Sequence, residues 1–234
     1  MSCVRAEGRA SPTTLEISLD AKAVVKVGEF SRYGVSRIEV FALDHDYGQD
    51  AKVTPYGLFL PAHDDLTIYL ATGPVTADFI VDRLDDGGHS QRARFPTVDT
   101  LLLLQDNGPE NQSRRTQFLA RIVAFAQSHH LNVRLAYYPP YHSKYNPVER
   151  CWGILEQHWN GTLLDTLETV VHFAGTMTWK GVAPMVHVVT AAYAKGVSLT
   201  RAAMGAIEAQ VRRFPGLEPW FVDILCAPTS AEAH

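Results

Sequence analysis

The sequence predicts an α/β protein, a mixed sheet flanked by helices, on three observations. Leu15-Glu-Ile-Ser-Leu-Asp20 alternates apolar and polar residues, the period-two signature of a strand. Leu101 to Leu104 is an unbroken aliphatic run, the pattern of a strand buried on both faces. Gln112 to His129 and Val148 to Trp159 carry their apolar residues at helical spacing. Strands come first, followed by helix, strand, helix, strand and helix, an order that lays helices against a sheet.

The elements follow in turn. Residues 1–14 read as a frayed or truncated lead-in. A strand over Leu15 to Asp20 ends in an acid, and Ala23 to Phe30 reads as a second strand. Asp44-His-Asp-Tyr-Gly48 and Pro55-Tyr-Gly57 are breakers, and Gly57 to Pro61 with Leu66 to Ala71 form a strand pair. Pro74 to Leu84 opens on a helix-start proline and repeats apolar residues at Val75, Phe79, Ile80 and Leu84. Asp85 to Ser90 reads as a loop. Thr100 to Gln105 is the buried strand, running into a turn at Asp106-Asn-Gly108. A helix over Gln112 to His129 presents Phe118, Leu119, Ile122, Val123 and Phe125 on one face. Val133 to Tyr138 returns as a strand that Pro139-Pro140 stops, and Pro147 starts the next helix. Leu163 to Val189 and Leu199 to Arg213 read as mostly helical. The domain expectation is one catalytic-sized domain over 15–190 and a helical C-terminal extension over 191–234.

Composition sets the outer limits. At roughly 150 residues per domain, 234 residues make one large domain or one with an appendage. No apolar run approaches the ~18 residues a membrane span requires, and Met1 to Ala10 lacks the apolar core of a secretory signal. Cys3, Cys151 and Cys226 lie far apart and match no zinc spacing, so reduced thiols in a cytoplasmic protein are expected. The net charge of −4 argues against coating nucleic acid by bulk charge. Its distribution is uneven. Asp44 to Asp86 holds nine Asp against Lys52 and Arg83, whereas Asp106 to Arg150 holds six Arg or Lys against three acids. The second stretch can attract phosphates although the whole chain does not.

Three acids stand where elements end or begin. Asp20 closes the first strand, Asp106 closes the buried strand, and Glu149 lies in the first turn of a helix. In open α/β sheets functional groups collect at the carboxyl ends of strands, and hard divalent cations take oxygen ligands. A strand-terminal Asp is equally a turn or cap residue, and a Glu in a first helical turn is favoured by the macrodipole alone. Spacing by itself does not choose between these readings.

The text around the acids does choose. Leu101-Leu-Leu-Leu-Gln-Asp-Asn-Gly108 and Tyr138-Pro-Pro-Tyr-His-Ser-Lys-Tyr-Asn-Pro-Val-Glu-Arg150 resemble the second and third catalytic motifs of DDE transposases from bacterial insertion sequences. Ile17-Ser-Leu-Asp-Ala-Lys22, Val27-Gly-Glu-Phe30, Asp44-His-Asp46, Pro55-Tyr-Gly57 and Tyr193-Ala-Lys-Gly196 resemble the Rhodopirellula-type group, over roughly Leu15 to Ile224. The resemblance implies an RNase H-like fold and a metal-binding catalytic triad of Asp20, Asp106 and Glu149 holding two Mg²⁺ or Mn²⁺ ions. It implies polynucleotidyl transfer on DNA, at transposon ends and target, and a homodimer. Lys22, His142, Lys144, Asn146 and Arg150 are candidate DNA contacts beside the acids. Asn146 also fits a turn that presents Glu149, Asn107 a ligand-orienting or turn-capping role, and Trp152 and Trp159 a core. Asp44 and Asp46 fit either the resemblance or a turn. Transposases of this kind carry a helix-turn-helix region before the catalytic domain, and Asp20 comes too early to leave room for one, so the chain is expected to be a catalytic domain alone. An RNase H-like nuclease without strand transfer, and a silent remnant that binds only DNA or partner subunits, are the alternatives.

Overall fold

The computed structural model describes residues 2–29, 52–139 and 142–226. Among them are nine strands in parallel and antiparallel pairing and six α-helices, the mixed α/β class that the sequence predicts. Asp44, Asp46 and Phe30 lie outside the described residues. The chain divides into two compact units, each assembled from separated stretches of sequence.

The first unit comprises residues 1–17, 76–143 and 193–234. It contains α1 (Ser2–Ala10), the opening residues of β1 (Thr14–Ala21), α2 (Ala77–Arg94), β5 (Thr100–Gln105), α3 (Thr116–His129), β6 (Asn132–Tyr137), α6 (Arg201–Glu208), β8 (Val211–Arg213) and β9 (Phe221–Ile224). Its strands lie in the order β1-β5-β6-β9-β8. β5 is buried at every residue after Thr100 and pairs in parallel with β6, from Thr100 opposite Asn132 to Gln105 opposite Tyr137. A parallel pair needs a crossover, and α3 supplies it, burying the Phe118, Leu119, Ile122, Val123 and Phe125 face. His130, in the left-handed region at φ 52°, ends that helix.

The second unit comprises residues 18–75 and 144–192. It contains the rest of β1, β2 (Val25–Lys26), β3 (Lys52–Leu60), β4 (Asp65–Ala71), a 3₁₀ turn (Ser143–Tyr145) that ends in it, α4 (Pro147–His158), α5 (Leu167–Thr176) and β7 (Met185–Val189). Its strands lie in the order β7-β4-β3-β1, with β2 on β3. β3 is antiparallel to β1, β2 and β4, and β7 is parallel to β4. Trp152 and Leu155 of α4, with Trp159 just past its end, pack with Phe59, Ile68 and Leu70 in one buried cluster.

Several expectations are corrected. Where the sequence suggests a frayed lead-in, Ser2–Ala10 are helical, and Arg5 and Arg9 donate to the Glu16 carboxylate at 2.7 and 3.3 Å. Glu16 is buried, and a buried carboxylate needs such partners. α2 runs through Asp85 to Ser90, expected as a loop, with Arg83 and Asp86 paired one turn apart. The strand expected over Ala23 to Phe30 shrinks to Val25–Lys26. Pro55-Tyr-Gly57, expected as a breaker, lies inside β3, where the Pro55 carbonyl accepts from Lys22 N–H. The stretches expected to be mostly helical also hold strands, because β-branched Val186, Val188 and Val189 pair with β4, and residues 211–213 pair with β9, which itself pairs with β6.

Candidate functional site

Each unit carries part of the expected carboxylate set, Asp106 in the first and Asp20 with Glu149 in the second. In the first unit the buried strand β5 delivers Asp106 into a loop that folds back on it. Asn111 Nδ2 donates to Asp106 Oδ1 at 3.1 Å and to Gln105 Oε1 at 3.3 Å. The Asn111 carbonyl in turn accepts from the buried Tyr137 hydroxyl at 2.8 Å. Burial holds that phenol well above its ordinary pKa, so it stays a donor. A Cβ at Gly108 would meet both Asp106 oxygens at 3.3 Å and Asn111 Oδ1 at 3.0 Å, so a side chain there would press on the carboxylate and the amide that holds it. Asn107 caps the turn, its Oδ1 accepting from Ser113 N–H at 3.4 Å. Glu110 accepts from Ala77 N–H at the start of α2 and from Arg115.

In the second unit Asp20 lies near the end of β1, opposite Gly57. Glu149 sits in the first turn of α4, two residues after Pro147. Asn146 precedes that helix but does not cap it with its own side chain. Its Oδ1 accepts from Ser18 Oγ at 2.6 Å, and its Nδ2 donates to the Leu19 carbonyl at 2.9 Å. Ser18 Oγ accepts from Val148 N–H at 3.0 Å, so a serine of β1 caps α4 in place of Asn146. Farther along α4, Trp152 Nε1 donates to Asp20 Oδ2 at 3.1 Å. Four hydrogen bonds thus tie the strand bearing Asp20 to the helix bearing Glu149.

Of the five polar residues expected at DNA, Asn146, for which the sequence also offers a turn-fixing role, is buried at 1% exposure with its side chain engaged in this clamp. Lys22 pairs with Glu156 at 2.6 Å. His142, Lys144 and Arg150 are exposed. Sequence reasoning missed Ser18 and Asn111. Ser18 stands two positions before the strand-terminal acid, on the same strand face, a placement that ordinary alternation explains equally well.

Asp20, Asp106 and Glu149 are each half-buried and offer carboxylate oxygens, the donors that Mg²⁺ and Mn²⁺ prefer. That donor chemistry fits a hard divalent cation. Among the described residues no group of three or more His, Cys, Asp or Glu side chains is gathered so as to hold a metal ion. Nor, among them, is any helix long and apolar enough to cross a membrane.

Residues 5–226 match the family described as the Rhodopirellula transposase DDE domain. Among solved structures, the Mos1 transposase paired-end complex with left transposon end is similar at 12% identity and a TM-score of 0.50. The Mos1 mariner paired end complex with Mn is similar at 9% identity and a TM-score of 0.47. Each likeness covers 72% of this chain and 49% of the other, so the chain spans about half the length of the solved chains it matches. At 12% identity the first likeness speaks for the fold alone. No curated protein matches the chain.

Proposed function

Because the chain belongs to the family of Rhodopirellula transposase DDE domains, we propose that it is the catalytic domain of a DNA transposase, acting in the cytoplasm. Its reaction is metal-dependent polynucleotidyl transfer: hydrolysis of a phosphodiester at a transposon end, then attack of the freed 3′-hydroxyl on target DNA. The observation that carries this reading is the buried clamp of Ser18, Asn146 and Trp152, which ties the Asp20 strand to the Glu149 helix within the matched residues.

Asp20, Asp106 and Glu149 would together hold two Mg²⁺ or Mn²⁺ ions. Bound there, such ions supply the charge that activates an attacking oxygen and neutralises the leaving one. The chain's own residues supply orientation. Asn111 fixes one oxygen of Asp106, and the Ser18 cap with its Asn146 partner fixes the turn of α4 that presents Glu149. Exposed His142, Lys144 and Arg150 contact DNA phosphates, positioning the strand without reading its sequence. A homodimer would bring two transposon ends together.

The test is nicking of supercoiled plasmid with Mg²⁺ or Mn²⁺, followed by joining of a pre-cut 3′-hydroxyl end to target DNA. Groups that act as a unit fail together, so Asp20→Asn, Asp106→Asn and Glu149→Gln should each lower nicking on the order of 10³-fold. Equal nicking by wild type and the three variants would overturn the reading. Nicking without end joining would favour a plain RNase H-like nuclease. Salt-sensitive DNA binding without nicking would favour a silent remnant.

A further inference from the structure

The hydrogen bond between Trp152 and Asp20 has a feature that core packing does not require. A buried indole N–H can be satisfied by any carbonyl. Trp152, 4% exposed, instead donates to a half-buried carboxylate at 3.1 Å. We propose that Trp152 and Gly57 form a positioning pair for Asp20, the indole fixing the carboxylate and Gly57 making room for the ring.

The case rests on three facts, all within the second unit. Gly57 is the residue directly opposite Asp20 in the β1–β3 ladder. A Cβ built there would lie 2.8 Å from Trp152 Cζ2, 2.9 Å from Trp152 Cη2 and 2.8 Å from Val148 Cγ2. A rigid ring and a fully buried valine on the same helix leave no flexible group to move aside. Finally, Trp152 follows Glu149 by three residues on α4, which puts the two on neighbouring positions of the helix surface. The contact that orients Asp20 therefore also sets the rotation of the helix that presents Glu149.

The choice of an indole matters chemically. Indole is a neutral donor with no acceptor. It aims a carboxylate without bringing a positive charge of its own. A lysine in that place would compete with the cation, and the nearby Lys22 is paired with Glu156. Partners of ligating carboxylates act in this way in metal sites generally.

The inference rests on Asp20 being a metal ligand, and the experiment separates the two claims. Mn²⁺ binding to the whole chain is followed by electron paramagnetic resonance of the free ion, together with unfolding midpoints and plasmid nicking. Trp152→Phe keeps a ring and deletes the N–H, while Gly57→Ala pushes against the ring. Each should weaken Mn²⁺ binding by the folded chain about tenfold. Trp152→Phe should add no further loss in an Asp20→Asn background. A tryptophan that only fills the core would lower the unfolding midpoint and leave Mn²⁺ binding by the folded chain unchanged, which would overturn the positioning role alone. A wild-type chain that neither binds Mn²⁺ nor nicks DNA would overturn the ligand reading and this inference with it. Should Trp152→Phe fail to fold, the four indole N–H resonances decide. In Asp20→Asn the Trp152 signal should move while those of Trp159, Trp179 and Trp220 hold still, and a stationary Trp152 signal would overturn the contact.

Discussion

Asn146 is a polar side chain almost without solvent contact, and its worth lies in what its two ends touch. The amide oxygen takes the Ser18 hydroxyl and the amide nitrogen reaches the Leu19 carbonyl. Removing it takes the acceptor from the buried Ser18 hydroxyl, which keeps only the Val148 N–H, and a donor from the Leu19 carbonyl. An unsatisfied buried group costs about 1–3 kcal/mol. Asn146→Ala should therefore lower stability by about 2–3 kcal/mol, read as a drop in the urea midpoint. Where the chain stays folded, nicking should fall more than folding does, because the turn that presents Glu149 has lost its anchor. A variant with unchanged midpoint and unchanged nicking would contradict both parts. Asn146 was legible as a turn former, since Asn-Pro at a helix start says so locally. Ser18 was not, because an inward serine on a strand looks like ordinary alternation. Its partner lies 128 residues away, and no local pattern encodes that distance. Asn111 was hidden for another reason. Asp-Asn-Gly-Pro reads as a turn whichever side chain closes it, and only the folded loop shows which one reaches Asp106.

At the scale of elements, legibility followed length and burial. α3 and α4 were readable from helical spacing and one buried face, β1 from its alternation, and β4 and β5 as largely apolar runs that the sheet buries nearly throughout. β8 and β9 were not. Three or four residues cannot display a period, and they are strands only because β6 offers β9 an edge and β9 in turn offers one to β8. α2 was cut short in the reading because Gly87 and Gly88 are poor helix formers, although packing against α3 carries the helix past them. What fixes β9 on β6 includes Asp223, which accepts from Arg134 Nε at 2.7 Å and Nη2 at 2.8 Å, a two-point contact. This carboxylate holds the guanidinium above its ordinary pKa. Arg134 is about a third exposed, so water screens part of the interaction. Asp223→Ala should cost about 1–2 kcal/mol and expose the amides of residues 221–224 to faster hydrogen exchange. Exchange unchanged in those residues would show that backbone pairing alone holds the strand.

Across the whole molecule the chain passes back and forth between the two units, so each collects residues far apart in sequence. Its two free cysteines with described side chains fall one to each unit, Cys151 within the second unit's core and half-buried Cys226 in the first. That division gives each unit its own reporter. Burial raises the Cys151 thiol to about 12, whereas an unfolded thiol titrates near ~8.5. Only the thiolate is reactive, so Cys151 should resist alkylation at pH 8 while Cys226 labels. Adding urea should release Cys151 with the opening of the second unit. The same shift makes stability depend on pH. The group favours its protonated form when folded, so its contribution is fully present below the unfolded value and is lost as pH rises towards the folded one. By pH 10 the unfolded state gains about 2 kcal/mol from ionising this thiol. The urea midpoint should therefore fall between pH 8 and pH 10 more steeply in wild type than in Cys151→Ala, which has no thiol to ionise there. Equal slopes in the two proteins would mean that Cys151 is open to solvent in the folded chain. The packing of α4 against β3 and β4 would then be looser than the cluster around Trp152 and Trp159 requires.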